Sequence, residues 1–252
     1  MLNRRTVLLL LASAATPFFS YNYRACSEPL QTNPSNDSGH FVLDGPLLSS
    51  TEMQKIRLFL RKESTRSEAK EVSKGRFHHN LIDSAPFREE ISGVIAKLLP
   101  IAMHEMPHCV TKENQLILTE VQIVNSLPSS DAQIWHADNS HKGVTFVIPL
   151  TDLTELNTIE LLTGTHDPSR KLLANLAHVR PLLKAGKCLV FDARLLHRGG
   201  PNRGDTSRPI LVLRFDSKVS RPPGMTFVGA TLRHYSGLLL SGFCERAMPR
   251  HS

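Results

Sequence analysis

Gly186-Lys-Cys-Leu-Val-Phe-Asp-Ala-Arg-Leu-Leu-His197-Arg-Gly-Gly-Pro-Asn202 is the stretch on which the reading of this chain turns. Cys188–Phe191 is a continuous apolar run bounded by polar residues, the pattern of a buried strand. His197 comes just after it and just ahead of a Gly-Gly-Pro turn. Beyond the turn, Arg208 opens a second apolar strand, Pro209–Phe215. A cation at the head of so apolar a strand is costly unless an anion meets it.

Working outward, short β-branched runs separated by turn residues fill the middle of the chain: Leu116–Val124, Ala132–Trp135, Gly143–Leu150, Thr158–Leu162 and Val179–Leu183. Many short strands at such spacing predict a β-sandwich or barrel. Helical patterning precedes them. Ser49-Ser-Thr51 supplies N-cap residues for a helix through Met53, Ile56, Leu58, Phe59 and Leu60. A second helix is expected from about Arg88 to Glu105, with Ile91, Val94, Ile95, Leu98 and Leu99 on one face. Phe41-Val-Leu43 reads as a short strand. The expected fold is mainly β with flanking helices.

The ends differ from this body. Residues 1–26 place Arg4 and Arg5 before the apolar run Val7–Ala15, the layout of a secretory signal or membrane anchor. They predict export or anchoring, and with it a membrane association; an organelle or the cytoplasm stays open. Residues 27–40 are polar and read as a linker, residues 41–216 as the folded domain, and 217–252 as a basic C-terminal extension.

The 252 residues carry a net charge of +7, which raises the question of nucleic acid. The excess sits at the ends: Arg4, Arg5 and Arg24 at one, and Lys218, Arg221, Arg233, Arg246 and Arg250 against Glu245 at the other. A nucleic-acid binder concentrates its basic residues on the folded domain, so no nucleic-acid partner is expected. The four cysteines form no CxxC pair, which argues against a structural zinc or a thioredoxin-type site. Cys188 reads as a small buried hydrophobe.

Three motifs could carry chemistry. His104-Glu-Met-Pro-His108 matches HExxH, but Pro107 denies the helix that this metallopeptidase motif requires, and the helix is expected to end near Glu105. His78-His79 reads as a surface pair. Gln133-Ile-Trp-His136-Ala-Asp138 is more productive, since residues two apart on a strand point to the same side. His136 and Asp138, taken with His197, give two imidazoles and one carboxylate, the facial triad of non-haem Fe(II) oxygenases. Arg208 can then hold a dicarboxylate through a planar two-point salt bridge.

The segment from about Phe41 to Arg214 resembles the phytanoyl-CoA dioxygenase family of Fe(II)/2-oxoglutarate oxygenases. The resemblance is carried by Gln133-x-Trp-His136-x-Asp138, by Thr163-Gly-Thr-His166, and by the block from Gly186 through His197-Arg-Gly-Gly-Pro-Asn202 to Arg208-Pro209. It implies a double-stranded β-helix (jelly-roll, cupin-like) core. It implies Fe(II) on His136, Asp138 and His197, 2-oxoglutarate and O₂ as co-substrates, and Arg208 on the distal carboxylate of 2-oxoglutarate. The implied activity is hydroxylation of a small-molecule substrate, a lipid or acyl-CoA among the candidates, with release of succinate and CO₂. The alternatives are a non-catalytic jelly-roll scaffold and a cupin-type metalloenzyme; the latter has no reason to place Arg208 where it stands.

Two departures accompany the resemblance. The family often has a hydroxyl residue two positions after the distal histidine, and this chain has Gly199, so a hydroxyl from elsewhere, such as Thr145, is expected beside Arg208. The segment Asn157-Thr-Ile-Glu160 is poorer in glycine than the family pattern. His166 and His141 are expected to stay outside the metal's ligand set.

Overall fold

The structure is a computed structural model that describes residues 38–63, 69–82, 84, 87, 91–106, 116–167 and 177–217. The N-terminal segment, nearly all of the linker, the extension beyond Ser217, Pro107-His108, and Cys26, Cys109 and Cys244 lie outside the described residues.

Gly143–Pro149 (β5) is buried at every position, so its two alternating sets of side chains must meet two different apolar partners. They do. Val144, Phe146 and Ile148 pack with one helix, Ser50–Glu63 (α1), through Ile56, and with another, Ser92–Glu105 (α2), through Val94, Leu98 and Ala102. Val147 turns the other way and packs with Leu153, Ile159, Leu161, Leu183 and Leu195. β5 is thus the middle of three layers: helices, a large sheet and a small sheet.

The large sheet is antiparallel and contains β5 with His40–Val42 (β1), Lys70–Ser73 (β2), Arg76–Asn80 (β3), Leu116–Ser126 (β4), Leu189–Asp192 (β8) and Arg208–Ser217 (β10). Its order is β1-β8-β5-β10-β4-β3-β2. Ile159–Leu162 (β6), His178–Val179 (β7) and His197–Gly199 (β9) form the small sheet, in the order β7-β6-β9. Two facing antiparallel sheets with crossing connections are the jelly-roll expected from the resemblance.

Alternation on β10 follows from this layering. Leu211, Leu213 and Phe215 join the core under the helices, while Ile210 joins the core between the sheets. Arg208, two residues before Ile210, therefore points between the sheets. α1 begins with a reciprocal cap: Glu52 N–H donates to Ser49 Oγ at 3.2 Å, and Ser49 N–H donates to Glu52 Oε2 at 2.7 Å. α2 ends at Glu105, as Pro107 requires, and Met106 N–H closes onto Ala102 O. Leu99, expected on the packed face, is exposed, and Ala102 takes its place in the core. Cys188 is buried and free, and burial pushes its thiol up to about 12.

The structure departs from the sequence reading in three places. Ala132–Trp135 is irregular rather than a strand, because its backbone leaves the ladder to follow the Gly199 turn. β2 and β3 form an unanticipated hairpin, joined through Lys74-Gly75 with Gly75 at φ 70°. His78-His79 lies in that hairpin and is not a surface pair: His79 is buried and His78 half-buried, with β3 paired inside the sheet between β4 and β2. Among the described residues, no helix is long and apolar enough to cross a membrane.

Candidate metal centre

His136 and His197 come from different segments but sit opposite one another in an isolated antiparallel bridge. His136 N–H donates to His197 O at 3.0 Å, and His197 N–H donates to His136 O at 2.9 Å. Each ring is then fixed by its own chain. His136 Nδ1 reaches Ile134 O at 2.9 Å, and His197 Nδ1 reaches Leu195 O at 2.9 Å. A carbonyl only accepts, so both Nδ1 atoms carry a proton, which leaves Nε2 as the lone-pair nitrogen of each ring in its neutral form. Phe191 packs on His197 with ring centroids 4.5 Å apart.

Asp138 completes the group. One ligand atom from each of His136, Asp138 and His197 lies within 4.8 Å of the others. Thr145 Oγ1 donates to Asp138 Oδ2 at 2.7 Å, and Arg214 Nη1 stands 3.9 Å from Oδ1. Burial pushes the Asp138 carboxyl up. His197, Arg214, His136 and the Thr145 hydroxyl together outweigh it and hold the group below the usual aspartate range. Burial, then the neighbouring His197, lowers His136 to about 4. Near neutral pH the cluster therefore presents an anionic carboxylate and a neutral His136 imidazole, the protonation that metal binding needs.

A second layer of bonds fixes the Asp138 loop. Asn139 Nδ2 donates to buried Asp216 Oδ1 at 2.8 Å. Thr119 and Arg214 also donate to Asp216, and Arg214 bridges onward to Glu120 at 2.7 Å. Gly143 is needed here, since a Cβ would lie 2.3 Å from Asp216 Oδ1.

Arg208 is fully buried. Its guanidinium donates to Asn157 O, to Thr158 O at 3.0 Å, to Gly200 O at 3.3 Å and to Ser126 Oγ at 3.0 Å. The hydroxyl beside Arg208 is thus Ser126 and not Thr145, which β5 delivers to Asp138 instead. Arg208 Nε is buried without a partner, and so are Nε and Nη1 of Arg76, another fully buried arginine. Among the described residues neither arginine has a carboxylate within ion-pair distance, although the charge of Glu160 acts on Arg208 and partly offsets its burial. Burial, and then the charge of Arg76, lowers Arg208 to about 9; burial lowers Arg76 to about 10. Unpaired donors on two buried cations fit a carboxylate-bearing ligand.

Sequence reasoning missed Arg76, Ser126, Asn139 and Asp216. The one available signal was the Lys74-Gly75 turn, which places a charged strand beside β4. His141 and His166 are outside the metal-ligating group, as expected. His166 instead packs on Gly39, where a Cβ would lie 2.3 Å from Nδ1. Gln133 and Trp135 support the turn: Gly199 N–H donates to Gln133 Oε1 at 2.9 Å, and Arg198 lies 4.5 Å over the Trp135 ring.

Comparison with solved structures finds the same fold in proteins described as α-ketoglutarate-dependent or solved with 2-oxoglutarate bound. The α-ketoglutarate-dependent epimerase SnoN from nogalamycin biosynthesis matches with a TM-score of 0.62 and 18% identity, over 76% of this chain and 84% of its own. The α-ketoglutarate-dependent carbocyclase SnoK from the same biosynthesis matches with a TM-score of 0.58 and 15% identity, over 75% and 85%. HygX from Streptomyces hygroscopicus, solved with nickel, 2-oxoglutarate and hygromycin B, matches with a TM-score of 0.53 and 15% identity, over 76% and 86%. No curated protein matches the sequence. The family model for phytanoyl-CoA dioxygenase matches residues 51–210, a span that includes the His-Asp-His cluster and Arg208. By that match over most of its length, the chain belongs to the phytanoyl-CoA dioxygenase family.

Proposed function

We propose that this protein hydroxylates a small organic substrate, with His136, Asp138 and His197 holding Fe(II) and Arg208 holding the distal carboxylate of 2-oxoglutarate. One observation carries the reading: a three-donor cluster of two imidazoles and a carboxylate stands in the same sheet pair as a buried guanidinium whose Nε has no hydrogen-bond partner. Two imidazoles and one carboxylate form the donor set that suits Fe(II) while leaving coordination positions open. When bound, iron and 2-oxoglutarate supply an O₂-dependent oxidation that places one oxygen atom in the substrate and the other in succinate as CO₂ leaves.

The chain's own residues prepare that chemistry. The Ile134 and Leu195 carbonyls fix both histidine tautomers. The Thr145 hydroxyl donates to the Asp138 carboxylate, and Arg214 places its positive charge beside it. Val147, Leu189, Phe191, Leu195 and Ile210 pack into an apolar core between the sheets beside the site, and Phe191 packs on His197. A scaffold protein has no use for buried cations with unpaired donors, which cost stability.

The family name points to an acyl-CoA or lipid, whereas HygX was solved with hygromycin B, so both classes belong in a substrate screen. The test is release of labelled CO₂ from 2-oxoglutarate with Fe(II) and O₂, beside product analysis for one added oxygen. Asp138→Ala should be silent. Equal release from wild type and Asp138→Ala contradicts the reading. A product without added oxygen moves the reaction toward the rearrangements that the names of SnoN and SnoK describe. Residues 1–26 are proposed to direct export or membrane anchoring, to be tested by N-terminal sequencing of the mature protein.

A further inference from the structure

Arg76, Ser126 and Arg208 form a row across three adjacent strands. β3 and β10 flank β4, and both arginines register opposite Ser126. Directly opposed residues of a pleated sheet share a face, and this is the face that Ile210 turns toward the small sheet. Both guanidiniums close on one acceptor: Arg76 Nη2 donates to Gly200 O at 2.9 Å and Arg208 Nη1 at 3.3 Å.

Gly199 is the key neighbour. A Cβ there would lie 2.0 Å from Arg76 Nη1. Gly199 stands two residues after His197 on β9, so its side-chain direction is that of the distal histidine. The Arg76 guanidinium therefore occupies the slot that a side chain at 199 would use, on the metal-binding side of β9.

We propose that Arg76 is a second ligand for the distal carboxylate of 2-oxoglutarate, taking the place of the hydroxyl that Gly199 lacks. The inference rests on the proposed co-substrate site. Arg76 Nη2 is spent on the Gly200 and Asp131 carbonyls, each at 2.9 Å. Nη1 and Nε are buried without partners, and so is Arg208 Nε. A carboxylate between the two cations supplies these donors with acceptors and offsets their mutual repulsion. Arg76 also explains how the chain dispenses with a hydroxyl at 199: the two features are one exchange, a large cation from β3 against a small residue on β9.

The experiment is anaerobic calorimetric titration of the full-length, Fe(II)-loaded protein with two 2-oxo acids: 2-oxoglutarate, and 2-oxopentanoate, which has the same chain without the distal carboxylate. Arg76→Gln should weaken 2-oxoglutarate about 10- to 100-fold, the range of a lost charge-assisted bond. It should leave 2-oxopentanoate within about 2-fold, because that acid never used the bond. Gly199→Ser alone should also weaken 2-oxoglutarate, by displacing Arg76, and the double variant Arg76→Gln/Gly199→Ser should regain part of the loss. Equal losses for both acids would make Arg76 a structural clamp and overturn the proposal, as would no loss for either. If Arg76→Gln does not fold, the Gly199→Ser comparison between the two acids decides by the same criterion. Arg208→Gln separates the two levels of the argument. Weakening by Arg208→Gln alone overturns only the role of Arg76; no weakening by either overturns the co-substrate site itself.

Discussion

His136 and His197 exchange both backbone hydrogen bonds, at 3.0 and 2.9 Å, and each turns Nδ1 onto the carbonyl two residues before it. The two metal-facing nitrogens are therefore set by backbone geometry rather than by side-chain packing alone. The loop from 133 to 139 needs no regular strand to aim them, because the partner segment 197–199 supplies the missing ladder.

Thr145→Val keeps the shape of β5 and removes the hydroxyl that donates to Asp138 Oδ2. Loss of such an outer-shell partner typically costs about 10- to 100-fold in metal affinity. A loss of that size is expected in Fe(II) titration, with the thermal midpoint nearly unchanged. Unchanged metal affinity would show that Arg214 and the histidines suffice to hold the carboxylate.

Arg208→Lys keeps a positive charge but loses the planar fork. Weaker 2-oxoglutarate binding is expected, by about tenfold or more. Fe(II) affinity should not change, since Arg208 touches none of the three metal-facing residues. The two affinities, measured separately, check this; a fall in both would mean that the variant disturbs the small sheet.

Glu160 gives a stability expectation. Burial pushes its carboxyl up, but hydrogen bonds from His178 and Arg198 outweigh burial and hold it at about 2, below its ordinary 4.5. A depressed carboxyl contributes stability that is present above its unfolded value and lost as pH falls toward its folded one. Glu160→Gln should therefore destabilise the protein at pH 7. The gap between variant and wild type should narrow as pH falls from about 4.5 to about 2. Thermal midpoints measured across that window test it, and a gap that widens in acid would contradict the assignment.

Much of the site was legible because its residues stand beside strong patterns. His197 and Arg208 flank the apolar strands β8 and β10, whose cores are unmistakable in sequence. Pro107 marked the end of α2. What escaped was what depends on pairing between distant strands. Arg76–Asn80 reads as polar, because Arg76 and His78 fall on the face where β3 lines the site, so no apolar alternation announces the strand. Ser126 and Thr145 are both hydroxyl residues on inward-facing positions. Only the register of β10 against β4 and β5, with Arg208 opposite Ser126 and Arg214 opposite Thr145, shows which one meets Arg208.

The central claim is that His136, Asp138 and His197 hold Fe(II) in a form that accepts 2-oxoglutarate. Anaerobic visible absorption tests it without a known substrate. Fe(II) is added to the protein first and 2-oxoglutarate second, with His136→Ala and Arg208→Lys in parallel. The expected result is a new charge-transfer band that appears only with both additions, is lost in His136→Ala, and needs more 2-oxoglutarate in Arg208→Lys. Folded wild-type protein that binds Fe(II) and yet gives no band, or a band that survives His136→Ala, would contradict it.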